Sequence, residues 1–167
     1  MIQIKEVLLR NCKMKPKFRK AVFIVTYAKK NDSILYLVMK RRLNWIGWEF
    51  PKGGVDEGEK ERNTAVRELK EETDLVPLKN RVIRFKIDGL YKYKKKLKVG
   101  RKYDGQSYKL YAIEVEYPKE GKIKIDGHEH STWKWLNIDN AVKRVTWPNQ
   151  KKCLKIVDEW LSNKSKN

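Results

Sequence analysis

The order of apolar segments predicts an α/β (α+β) protein: a mixed β-sheet sandwiched between helices, α/β/α. Three observations carry this. Segments rich in β-branched and aromatic residues come first. A helix with a narrow apolar stripe follows. Two more strands and then amphipathic helices close the chain. At 167 residues the chain is expected to be one domain over residues 1–167, with its core at about 18–161.

Phe18 to Tyr27 (FRKAVFIVTY) and Ile34 to Met39 (ILYLVM) read as strands, with Lys29 to Ser33 as the polar turn between them. Trp45 to Phe50 leads through Pro51 into a glycine-bearing turn. Glu59 to Thr73 reads as a helix whose stripe Ala65, Val66 and Leu69 should face the core. Val82 to Tyr93 and Tyr108 to Tyr117 read as further strands, joined by a basic loop, KKKLKVGRKYDGQS. Trp133 to Leu136 is a short strand and Ile138 to Arg144 a short helix. Asn149 to Leu161 is a final amphipathic helix with Leu154, Val157 and Trp160 or Leu161 inward.

Composition narrows the partners. No apolar run approaches a membrane span, and the N-terminus lacks the apolar core of a secretory signal. The two cysteines, Cys12 and Cys153, have no partner motif and are expected as reduced thiols, which suits a cytoplasmic protein. Forty basic against 21 acidic residues give a net charge of +19, a field that steers polyanions toward the chain. Nucleotide polyphosphates, RNA and inositol pyrophosphates all fit that sign.

Arg67-Glu68-Leu69-Lys70-Glu71-Glu72 places Glu68, Glu71 and Glu72 three and four residues apart, on one helix face. Like charges so placed repel, and near a helix end they face the negative pole of its dipole. Folding does not reward that arrangement. A hard divalent cation does, because it binds clustered carboxylate oxygens. Gly53, Gly54 and Gly58 would let main chain approach a metal or phosphate. Lys52 is placed to reach a phosphate oxygen, and Arg41 belongs to the neighbouring basic cluster Lys40 to Arg42. Trp45, Trp48 and Tyr108 are candidate stacking rings. His128 and His130 lack further zinc ligands and are expected as exposed loop residues.

The spacing around the acidic cluster resembles the Nudix hydrolase box. Gly53 is followed by five residues, Glu59, seven residues, Arg67-Glu68, the aliphatic Leu69, Lys70, Glu71-Glu72, Thr73 and then Asp74-Leu75. The one departure is Asp74, where the pattern has glycine. Asp tolerates the left-handed conformation expected after a helix better than most residues.

The resemblance implies a Nudix-type sandwich with a catalytic loop-helix-loop. It implies hydrolysis of a phosphoanhydride by water attacking phosphorus, with Mg²⁺ (or Mn²⁺) as cofactor. By the same resemblance Glu68 and Glu72 are the main metal ligands, and Glu71 is a further ligand or the base. The Gly53 carbonyl completes a coordination sphere. Arg67 braces the glutamates, and Glu59 closes the loop onto the helix.

Four segments outside the box resemble subgroups of the family. GWEFPKGG and the Gly105-Gln106-Ser107-Tyr108 segment are similar to bacterial RNA 5′-pyrophosphohydrolases and plant-type dinucleoside polyphosphate hydrolases. HEHSTWKW is similar to their acid ahead of a Trp-basic-Trp strand, which implies Glu129 as another catalytic metal ligand. Arg41, Trp48, Lys52, Gln106 and Tyr108 are then candidate substrate contacts. The implied substrates are a dinucleoside tetraphosphate or the 5′-triphosphate end of RNA. The closing stretch TWPNQKKCLKIVDEW resembles that of hydrolases of dinucleoside polyphosphates and of diphosphoinositol polyphosphates, which keeps the latter activity as an alternative. A non-catalytic RNA-binding module of the same fold is the alternative from another class, although such modules usually lack the box glutamates.

Overall fold

The structure is a computed structural model that describes residues 15–93 and 102–164. Cys12 and most of the basic loop expected between Lys92 and Lys102 lie outside the described residues.

Strand β1 (Phe18–Lys30) is buried on both faces from Ala21 to Ala28, so it reads as a continuous apolar run and forms the centre of the sheet. Strand β2 (Ser33–Arg41) returns antiparallel after a tight turn at Asn31, whose φ is +52°. That turn is shorter than expected, because Lys29 and Lys30 pair with Ile34 and Ser33 as strand residues. Short strands β3 (Gly47–Glu49) and β4 (Lys52–Gly54) flank Pro51. Helix α1 (Glu61–Thr73) follows. Strand β5 (Pro77–Lys92) starts five residues before its expected limit and pairs antiparallel with β6 (Gly105–Val115). Strand β7 (His130–Leu136), helix α2 (Ile138–Arg144) and helix α3 (Pro148–Lys164) complete the described chain.

The sheet runs β3-β2-β1-β6-β5, with β4 added to β1 and β7 to β2. The β1–β6 pair is parallel and the others are antiparallel, which makes the sheet mixed. Alternation along β1 sends Phe23, Val25 and Tyr27 to one face, where α2 and α3 cover them with Ala141, Leu154 and Val157. Val22 and Ile24 point to the other face, against Ala65 and Leu69 of α1. These layers place α1 beside β4, where β1 has exchanged one partner for another.

Two details of α1 depart from the sequence reading. Val66 is only half-buried, while Thr64 and Thr73 are buried. The helix begins at Glu61, because Glu59 turns its carboxylate back to accept from the Thr64 hydroxyl at 2.8 Å. No helix of the described residues is long and apolar enough to cross a membrane.

Candidate active site

Helix α1 is fixed by Ala65 and Leu69, both fully buried against the sheet. That anchorage dictates where its acids go. Glu68 lies against Gly53 in β4, and Glu72 lies one turn further on. An added Cβ at Gly53 would fall 1.8 Å from the Glu68 Cδ, so hydrogen at that position is what admits the carboxylate. Gly53 and Gly54 serve close approach within a strand; of the turn glycines, Gly58 is the one with positive φ, +77°. Asp74 does end the helix in the left-handed conformation, at φ +59°.

Arg67 is committed to the end of β4, the turn that follows it and its own helix. Its Nε and Nη2 donate to Glu59 at 3.0 and 2.8 Å, and Nη1 donates to Glu68 at 2.9 Å and Glu71 at 3.1 Å. Nη2 also reaches the Gly54 carbonyl at 3.3 Å. These bonds, with that from Thr64, hold Glu59 down at about 2. The glycine turn is thereby tied to the helix.

The acids occupy graded environments. Glu71 is exposed. Burial pushes the Glu68 carboxyl up, and Arg67 pulls against that without reversing it. Glu72 is 6% exposed, and burial holds its carboxyl well above the usual range, with Lys52 opposing and Glu49, Glu68 and Glu129 adding to the rise. The Lys52 amide donates to the Glu72 carboxylate at 3.3 Å.

A second wall carries Glu129, just before β7. The Asp126 amide donates to the Glu72 carbonyl at 3.0 Å, which joins this loop to the end of α1. The Glu129 carboxylate accepts from Arg41 Nη1 at 2.7 Å, and its carbonyl accepts from the Arg42 amide at 2.9 Å. Glu72, Glu129 and His130 each offer a ligand atom within 4.8 Å of the others. His130 is not an exposed loop residue: it is fully buried, with Nε2 3.3 Å from Glu49. The β2–β7 register, Arg41 opposite His130, carries it inward.

Glu68, Glu71, Glu72, Glu129 and Lys52 line one cavity of about 670 Å³. Arg19, Tyr91, Tyr93 and Gln106 line it too, with the Tyr91 hydroxyl donating to Gln106 at 2.6 Å. So do Trp45 and Trp147, packed edge to face at 5.2 Å. Clustered carboxylate oxygens, one of them buried among three like charges, are a donor set that suits a hard divalent cation.

The remaining expected contacts fall elsewhere. Arg41 lines the cavity, but its guanidinium is taken up by Glu49, Glu129 and the Leu43 carbonyl. Trp48 lies outside the cavity, packed on the core beneath the Arg144 guanidinium at 5.2 Å. Tyr108 is buried and stacked on Phe23, with ring centres 3.9 Å apart. Glu49, Arg19 and Trp147 escaped sequence reasoning. A lone acid between Trp48 and Phe50 was the signal available for Glu49, because a charge in an apolar strand must be paired.

Comparison with known proteins agrees with this geometry. The NUDIX domain family model matches residues 17–155. An RNA pyrophosphohydrolase from Pelagibacter ubique is 34% identical over 133 residues, covering 76% of this chain and 81% of the relative. An asymmetrical bis(5'-nucleosyl)-tetraphosphatase from Caenorhabditis elegans is 30% identical over 124 residues, covering 74% and 83%. The crystal structure of a C. elegans Ap4A hydrolase binary complex superposes with a TM-score of 0.68 at 27% identity, covering 87% of this chain and 98% of that one.

Proposed function

The chain belongs to the NUDIX domain family, and on that premise we propose that it is a divalent-metal-dependent pyrophosphohydrolase of nucleoside polyphosphates. Its substrate is a dinucleoside tetraphosphate or the 5′-triphosphate end of RNA, and water attacks phosphorus. One observation carries the reading: Glu68, Glu71, Glu72 and Glu129 share a cavity with Lys52, and the same cavity is lined by aromatic rings.

Glu68, Glu72 and Glu129, with the Gly53 carbonyl, are the residues that would hold the ions. Bound Mg²⁺, or Mn²⁺, neutralises phosphate charge and lowers the pKa of a coordinated water. Glu71 or Glu129 takes the proton, because each lines the cavity, retains exposure and is held by an arginine. Arg67 acts on the glutamates and not on substrate. Lys52 lines the phosphate side of the cavity, with its ammonium held 3.0 Å from Glu49. The rings at Tyr91 and Tyr93, and at Trp45 and Trp147, suit bases carried at the ends of that chain. A diphosphoinositol polyphosphate offers no base to either set. A binding module without catalysis has no use for the full acidic set. A single domain over residues 1–167 and a cytoplasmic setting, with Cys153 buried and without a disulfide partner among the described residues, complete the proposal.

Glu72→Gln should lower turnover at least about 100-fold while leaving the fold intact. A wild-type rate in that variant overturns the metal assignment. Diadenosine tetraphosphate, triphosphorylated RNA and a diphosphoinositol polyphosphate, ranked by kcat/KM, identify the substrate class. A dominant rate on the inositol compound overturns the nucleotide reading. RNA affinity that survives Glu72→Gln, in a wild type without hydrolysis, would establish the binding module instead.

A further inference from the structure

Beneath the cavity floor lies a buried acid, Glu49, that the reaction described above does not use. Glu49 is fully buried, and one of its oxygens, Oε1, takes three contacts. Arg41 Nη1 and Lys52 Nζ each lie 3.0 Å from it, and His130 Nε2 lies at 3.3 Å. The other oxygen is buried without a partner among the described residues. Burying this many charges is expensive, and well-packed apolar side chains of similar volume would serve stability as well or better. What the charges fix is position. The Arg41 nitrogen that meets Glu49 also donates to Glu129 at 2.7 Å, and the Arg41 Nε is pinned on the Leu43 carbonyl at 3.0 Å. Lys52, tied to Glu49 through its ammonium, is tied through its amide to Glu72.

We propose that Glu49 is a positioning residue. It acts through Arg41 on Glu129 and through Lys52 on the phosphate side of the cavity. Burial permits it no contact with substrate. It sets the distance between the acid contributed by the β7 loop and the acids contributed by α1. This inference rests on the hydrolase reading above. That reading fails if wild-type protein does not hydrolyse the nucleotide panel, whereas this inference fails within an active enzyme.

The test uses Glu49→Gln, Arg41→Lys, Glu129→Gln and the two double variants with Glu129→Gln. Arg41→Lys keeps the charge but cannot span Glu49 and Glu129 as the guanidinium does. Mn²⁺ affinity is read by electron paramagnetic resonance with the metal alone, and kcat and KM are read separately. Glu49→Gln and Arg41→Lys are each expected to weaken Mn²⁺ binding and lower kcat by roughly 10- to 100-fold, with KM changing far less. Adding Arg41→Lys to Glu129→Gln should cost little more, because both act through one carboxylate, and adding Glu49→Gln should cost less than its full single-variant loss, the remainder passing through Lys52. Wild-type Mn²⁺ affinity and kcat in either single variant overturn the proposal. Losses that multiply in full in the double variants do the same. Should Glu49→Gln not fold, Arg41→Lys decides alone on the same criteria.

Discussion

Gly53→Ala isolates the contact between strand β4 and Glu68. Gly53 is an ordinary strand residue without positive φ, so alanine is conformationally allowed there. The obstacle is one side chain. The new methyl group would lie 1.8 Å from the Glu68 Cδ, and ordinary contact begins near 3.4 Å, so the carboxylate must retreat by about 1.6 Å. The end of a flexible side chain can make that move, and the backbone need not. Alanine also narrows the unfolded ensemble, which stabilises by about 0.4–1 kcal/mol. Loosening the Glu68–Arg67 pair offsets about 0.2–1 kcal/mol of this. Net stability should therefore stay within about 1 kcal/mol of wild type. Function should not, because on the proposed metal role of Glu68 a displacement of more than an ångström costs on the order of 100-fold. The assay is kcat/KM on diadenosine tetraphosphate beside a thermal melt of the same sample. Activity within about threefold of wild type at unchanged Tm would refute the claim that this close approach sets Glu68.

Burial raises the Glu72 carboxyl in the metal-free fold, with Lys52 opposing, so its neutral form is favoured there. Its contribution is fully present below the ordinary carboxylate pKa of about 4.3 and is lost as pH rises toward the folded value. Tm in chelator should therefore fall through that window, and Mg²⁺ should remove the fall. Glu49 and Glu59, each held at about 2, act in the opposite sense and lose their contribution as pH drops toward 2. Asp74→Gly should raise the urea midpoint by an amount equivalent to about 0.5–1 kcal/mol, because it relieves a left-handed aspartate and gives up only an exposed pair with Lys70. Trp45→Ala and Trp147→Ala should each raise KM for the nucleotide about tenfold with kcat little changed. Trp48→Ala should instead lower Tm, because that ring packs on the core.

The box was legible because its spacing is local: Glu59, Arg67, Glu68, Glu71 and Glu72 lie in one turn and one helix, and Arg67 meets Glu59, Glu68 and Glu71 close in sequence. The strands and helices were legible from the period of their apolar residues, apart from ends set by pairing. Lys29 and Lys30 look like turn residues until β2 supplies their partners. The start of β7 at His130 is likewise set by Arg41 across the sheet. What was not legible is held together at long range. Arg41 meets a glutamate 88 positions away. Tyr108 looks like a ligand wall until Phe23 is seen stacked on it. Trp48 and Trp45 are three residues apart, yet one enters the core and the other the cavity, a choice made by α2 and α3 rather than by the local sequence.

The loop that bears Glu129 is fastened at both ends, by the Asp126 amide on the last turn of α1 and by the Arg42 amide just past the end of β2. Neither fastening involves a ligand. The opposing acids therefore meet as a consequence of folding, and an arriving phosphate chain finds their spacing already set. Lengthening that loop by one residue should detune the enzyme more than shortening any surface turn, since the slack would fall between Glu129 and the α1 acids that share its cavity.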